Sequence, residues 1–104
     1  MRNNATVARY GAALRMYDNG GRSADRFTLI PPRWAAAQYR EPSGLWLCFG
    51  CNSEPFHPQG IGMHDRAAPG PHLGRRIGWD ALPPDVQRAA RQSFPEFCPR
   101  EVRP

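Results

Sequence analysis

The stretch YDNGGRSADRFTLI, residues 17–30, decides how this sequence folds. Asp18-Asn19-Gly20-Gly21 is a strong turn signal, because asparagine and glycine accept positive φ at little cost. On its C-terminal side, DRFTLI at 25–30 reads as a returning strand with Phe27 and Leu29 on one face. On its N-terminal side, TVARYGAALRMY at 6–17 reads as one long strand or two short ones broken at Gly11. The span from Asp18 to Ala24 is longer than a two-residue hairpin loop, so a wider, bulged connection is expected. These residues therefore predict an antiparallel hairpin, around which the rest of the chain is arranged.

Outward from the hairpin, Pro31-Pro32 ends the second strand. RWAAAQYR at 33–40 fits either a turn of helix or an excursion between strands. GLWLCFG at 44–50 is the most strand-like run. Residues 52–72 carry so much proline and glycine that they read as a long irregular loop. RRIGW at 75–79 reads as a short strand. WDALPPDVQRAARQSF at 79–94 is the clearest helix, with proline in its first turn and Val86, Ala89, Ala90 and Phe94 on one face. Residues 1–5 and the tail from Pro99 read as loose ends. The expected fold class is α+β in a single domain, ordered from about residue 6 to 97. A small antiparallel sheet of three or four strands packs against one C-terminal helix, beside a long Pro/Gly-rich loop.

Composition narrows the class. The chain has 104 residues, twelve of them proline and ten glycine, and a formal net charge of +5. All fourteen basic residues are arginine. Arginine presents a planar fork that suits phosphate and carboxylate. A basic balance fits an anionic partner; it equally fits a GC-rich genome and a solvated surface. No apolar run approaches the length that spans a membrane. No leader is legible in the first residues, which points to a soluble, cytoplasmic protein with reduced thiols.

Three blocks read in order, YDNGGRSADRFTLI, PFHPQGIG and LGRRIGWDALPPDVQRAA, resemble a family of small proteins carried by phages, plasmids and their bacterial hosts. The matching positions are Asp18, Asn19, Gly20, Gly21, Asp25, Arg26, Phe27, Thr28, Pro58, Gln59 and Gly60. The likeness covers roughly residues 14–94. It departs at His57, where members often carry serine, and at Cys48 and Cys51, a pair they lack. The resemblance implies a fold and a genomic setting rather than a reaction. In that setting the chain is expected to be an accessory protein of a mobile element. It would bind a host protein or an anionic ligand such as a nucleotide, in the manner of small counter-defence proteins.

Four site chemistries are compatible with the residues. The first is a ligand site built from Asp18, Asn19, Gly20, Gly21, Asp25 and Arg26, with His57, Gln59 and Gly60 from the PFHPQGIGMH loop at 55–64. There glycine amides approach an anion and Arg26 meets it. The alternative is structural, with Asp25-Arg26 as an ion pair holding the loop. The second is zinc on Cys48 and Cys51 in CxxC spacing, completed from His57, His64, His72 or Cys98; buried apolar thiols are the alternative. The third is nucleic-acid binding through Arg33, Trp34, Arg40, Arg75 and Arg76, where basic and aromatic residues interleave. The alternative is that Trp34 and Tyr39 pack on the core. The fourth is acid–base chemistry by His57 or His64 with Asp18, Asp25 or Asp65, which no hydrolase-like spacing supports.

Overall fold

The computed structural model describes residues 13–99. It is an α+β fold around a five-stranded antiparallel sheet. The strands are β1 Arg15–Asp18, β2 Phe27–Ile30, β3 Trp46–Cys51, β4 Gly62–Ala67 and β5 Arg75–Ile77. Their spatial order is β4-β3-β2-β1-β5. The first four form a meander. The register Asp18↔Phe27 and Arg15↔Ile30 closes the expected hairpin on its asparagine–glycine turn. Pro31 and Pro32 come directly after β2, and the chain leaves the sheet through a 3-10 turn (Arg33–Ala35) and α1 (Ala36–Tyr39).

Two features differ from the sequence-based expectation. The sheet has five strands rather than three or four, and α1 adds a short second helix. The fifth strand arises within 52–72, where irregular chain was expected. Gly62–Ala67 is free of proline and pairs with β3 along its whole length, from Cys51↔Gly62 to Trp46↔Ala67. It is an edge strand exposed at all positions but its last. A strand wetted on both faces loses the apolar alternation by which strands are recognised.

The pleat divides the side chains into two layers. Met16, Phe27, Leu29, Phe49 and Cys51 face the C-terminal helix, α2 (Pro84–Ser93). Val86, Ala89 and Ala90 of α2, with Phe94 beyond it, complete this core as the helical spacing predicts. Leu29, Val86 and Ala90 are wholly buried. Burial on that scale contributes about 1.5–3 kcal/mol per large apolar side chain.

The other layer holds Tyr17, Ile30, Trp46 and Cys48. It is covered by Ala36 and Tyr39 of α1 and by the chain that joins β4 to β5. β4 and β5 lie at opposite edges of the sheet, so the residues between them, 68–74, must cross it. Ala67 and Leu73, at the two ends of this strap, pack on the Tyr17–Cys48 layer. β4 and β5 run parallel, so the strap must also return along the strand direction, from the level of Trp46 to that of Cys51, and three of its seven residues, Pro71–Leu73, are wound into a 3-10 turn. The strap therefore has little slack.

Candidate functional site

The β1–β2 hairpin is pinned from inside. Asp18 accepts two hydrogen bonds from the Arg26 guanidinium, from Nε at 2.8 Å and Nη2 at 3.1 Å. It also accepts one from the Gly20 amide at 2.8 Å. Asn19 Oδ1 takes the amides of Gly21 and Arg22, and its Nδ2 donates to Ser23 Oγ. The ion pair that holds this loop is thus Asp18–Arg26. Asp25 instead accepts from Ser23 Oγ, and a Cβ at Gly50 would touch its side chain. The amides of Gly20 and Gly21, expected to face an anion, are already taken by Asp18 and Asn19. The Arg26 hydrogen bonds hold the Asp18 carboxyl below the usual carboxylate range, against the opposing effect of burial and with smaller help from the Gly20 amide and the charges of Arg26 and Arg75.

The strap brings a second segment against this turn. Gly74 enters β5 with φ +110° and ψ −159°, a conformation that glycine alone adopts readily. A Cβ there would lie 2.6 Å from Asn19 Cα, so only a bare backbone fits. Arg75 then pairs with Asp18 across the ladder. The result is a concave pocket of about 410 Å³ lined by Asp18, Asn19, Gly20, Arg22, Arg26, Pro71, Gly74 and Arg75. Three guanidinium groups share this pocket with one carboxylate. Asp18, Asn19, Gly20 and Arg26 were legible as site residues. Arg22 and Gly74 were not, and Arg75 was legible only in a different role.

His57, Gln59 and Gly60 do not line this pocket. Their loop is closed on itself. Asn52 Oδ1 accepts from the amides of Glu54 and Ile61, and its own amide donates to the Ile61 carbonyl. His57 Nδ1 accepts from the Gln59 amide, and the Gly60 amide donates to the His57 carbonyl. A Cβ at Gly60 would run into the Glu54 carbonyl. The loop is rigid and proline-shaped, and its amides are spent internally. Gln59 and His57 stand exposed at its surface.

The remaining candidates are dispersed by the sheet. Cys48 and Cys51, three apart on β3, point to opposite faces, Cys48 into the strap-side layer and Cys51 into the helix-side core. The CxxC spacing reads as a ligand pair only on a turn; a strand separates it. Among the described residues no three histidine, cysteine, aspartate or glutamate groups come together to hold a metal ion. Burial pushes the Cys48 thiol up to about 11 and the thiols of Cys51 and Cys98 to about 12. Neighbouring Asp65 adds to the effect at Cys48. His64 packs edge-on against Phe49 and Phe94, at 5.4 and 6.1 Å between ring centres. Among the described residues no ion pair joins a histidine to a carboxylate.

The nucleic-acid candidates are redistributed. Arg75 and Arg76 are neighbours in sequence and fall on opposite faces of β5. Arg75 turns to the pocket, while Arg76 lies 5.3 Å over the Tyr17 ring. Arg40 bridges to Trp46. Trp34 is 45% exposed and outside both core layers, and touches the helix-side core only through an edge-on contact with Phe97 at 5.2 Å. Tyr39 donates to Glu96 and packs on Phe94 and Phe97. Sequence reasoning missed Arg15. Its guanidinium donates to the Pro31 carbonyl and lies 4.3 Å over Trp46. Burial lowers its affinity for a proton, and the nearby charges of Arg33 and Arg76 lower it further, partly offset by Tyr17.

Compared with known protein families, curated proteins and solved structures, the chain matches none. Among the described residues no helix is long and apolar enough to cross a membrane.

Proposed function

We propose that this chain is a small binding protein that recognises an anionic group through the pocket between the β1–β2 turn and the strap. One observation carries the reading. Arg22, Arg26 and Arg75 line an open surface hollow of about 410 Å³ in which Asp18 is the sole carboxylate among the described residues, already matched by Arg26. An arriving phosphate or carboxylate meets the Arg75 fork and the outer nitrogens of Arg22, whose Nε donates to the Asn19 carbonyl, and both charges persist at any physiological pH. The pocket wall is fixed before the ligand arrives, because the hairpin hydrogen bonds and the close approach of Gly74 are made within the protein. Such preorganisation lowers the ordering cost of binding.

The setting implied by the family likeness supports the rest of the proposal. The chain acts as an accessory protein of a mobile genetic element, on a host protein that offers an anionic group or on a small ligand such as a nucleotide. It acts by occupancy rather than by turnover.

Thermal melts with inorganic phosphate and with a set of nucleotides test this. A ligand at a hundred times its dissociation constant stabilises the folded state by about 2.7 kcal/mol, which is a clear rise in melting temperature. The rise disappears in Arg75→Ala. A flat response to all of these anions at millimolar concentration, with the protein folded, removes the small-ligand form of the proposal. Loss of a captured host protein on Arg75→Ala then tests the other form.

A further inference from the structure

Charge is divided unequally over this molecule. Ten arginines lie among the described residues. Six of them lie on or beside β1 and β5, with Arg22 and Arg26 in the β1–β2 turn and Arg33 just after β2. Arg22, Arg26 and Arg75 line the pocket on one side. Arg76, Arg15 and Arg33 lie on the other. Arg76 pairs with Tyr17 in the ladder, so Arg15, two residues back on β1, shares its face. Diagonal neighbours of this kind sit about 7–8 Å apart, within reach of long side chains. The Arg15 guanidinium is bonded to the Pro31 carbonyl, which places Arg33, two residues on, beside it. Within both groups Asp18 is the one carboxylate in an ion pair. Asp25, next to Arg26 in the turn, accepts from Ser23 instead, and the other four arginines share the rest of the described surface with six carboxylates; two of the four are ion-paired, Arg66 with Glu41 and Arg88 with Asp85.

Two trios of guanidinium groups thus flank a single edge strand. Their surroundings select the partner. A protein interface has an apolar centre depleted of charge. Of the exposed large apolar residues among those described, Leu45, Phe56 and Met63 belong to neither trio, and Trp34 alone adjoins one, as the chain neighbour of Arg33. The aromatic rings beneath the second trio, Tyr17 and Trp46, are 5% exposed and capped by Arg76 and Arg15. They offer no face on which an unpaired base stacks. Trp34, beside Arg33, is 45% exposed but packs edge-on against Phe97 of the helix-side core, on the other side of the sheet from the Tyr17–Trp46 layer. The surface is charged forks without reading groups, and such a surface suits regularly spaced phosphates.

We infer that the β1–β5 edge is a landing surface for the phosphodiester backbone of a nucleic-acid duplex, gripped by both trios without base readout. Arg22, Arg26 and Arg75 are shared with the pocket proposed above, whereas Arg15, Arg33 and Arg76 belong to the duplex surface alone.

Fluorescence anisotropy with a short labelled DNA duplex of mixed sequence, and with the RNA duplex of the same sequence, provides the test. Both duplexes bind, and scrambling their sequence changes nothing. The logarithm of affinity falls linearly with the logarithm of salt, by about 0.9 per phosphate contacted. Arg76→Ala removes about one unit from that slope. Arg33→Glu with Arg76→Glu weakens binding at least about tenfold at an unchanged melting temperature, whereas Arg88→Glu on α2 binds as the unaltered protein does. Three results overturn the inference: no duplex binding at low salt, tighter binding of the single strand than of the duplex, or indifference to the Arg33/Arg76 reversal. Inorganic phosphate, run beside the duplex, separates the two readings. If phosphate still raises the melting temperature through Arg75 while the duplex fails, the edge reading falls and the pocket reading stands. If both fail, both fall.

Discussion

Gly74→Ala is the most informative single change in this protein. Two costs add. The first is conformational: φ +110° with ψ −159° lies in a region that residues with a Cβ avoid, at about 1–3 kcal/mol. The second is steric. The new methyl would stand 2.6 Å from Asn19 Cα and 2.5 Å from the Asp18 carbonyl carbon. These are backbone atoms, so no rotamer relieves the contact. Either the strap or the β1–β2 turn must move by most of an ångström, at about 1–3 kcal/mol for overpacking of this kind. A total near 3 kcal/mol lowers the melting temperature of a domain this size by roughly 12–24 °C. Gly20→Ala is the control. Its φ is +74° and a Cβ there meets no atom within 4 Å. It therefore carries strain alone, about 1–2 kcal/mol. Circular dichroism melts and urea titrations of both variants decide the matter. If Gly74→Ala melts no lower than Gly20→Ala, the strap does not lie against the turn, and the pocket has lost its wall.

Three further outcomes are expected from the same geometry. Asp18 titrates below its unfolded value, so its contribution to stability is complete above the ordinary aspartate range and is lost as pH falls below about 4. Urea midpoints measured from pH 7 downward should show this decline, and Asp18→Asn should flatten it while lowering stability at neutral pH. All three cysteines are buried with thiols near 11–12, so a thiol reagent at pH 7 should label the native protein slowly and at a rate that tracks unfolding; rapid labelling of Cys51 would contradict its burial. Phe94→Ala empties a fully buried ring from the helix-side core and should cost about 3–5 kcal/mol, with the urea midpoint as the readout.

Local chemistry made parts of this molecule legible from sequence, and distance hid the others. The hairpin was readable because its signal is complete within fourteen residues: a turn that needs glycine, and a strand with Phe27 and Leu29 on one face. The helix was readable because Val86, Ala89, Ala90 and Phe94 bury one stripe. β4 was hidden because an exposed edge strand owes its existence to the ladder with β3 and not to its own alternation. Half of the pocket was hidden for a related reason. Gly74 and Arg75 reach Asp18 only because the strap crosses the sheet, and no short-range pattern encodes a crossing. The separation of Cys48 from Cys51 was within reach: once GLWLCFG is read as a strand, residues three apart must oppose each other. Arg15 offered a similar hint, since it alternates with Tyr17 and so must share that residue's face.

The strap also fixes where this chain tolerates a change of length. The hairpin loop at 19–26 and the closed loop at 52–61 stand beyond the ends of their strands, where an added residue bulges into solvent. The strap has no such freedom. One residue fewer draws it taut, and one more shifts β5 by a single step along β1. A single step exchanges the faces of every side chain on a strand. Arg75 would leave the pocket for the Tyr17 side, and Arg76 would take its place. Descendants of this chain should therefore vary freely in loop length on either side of the strap while conserving its seven residues between β4 and β5.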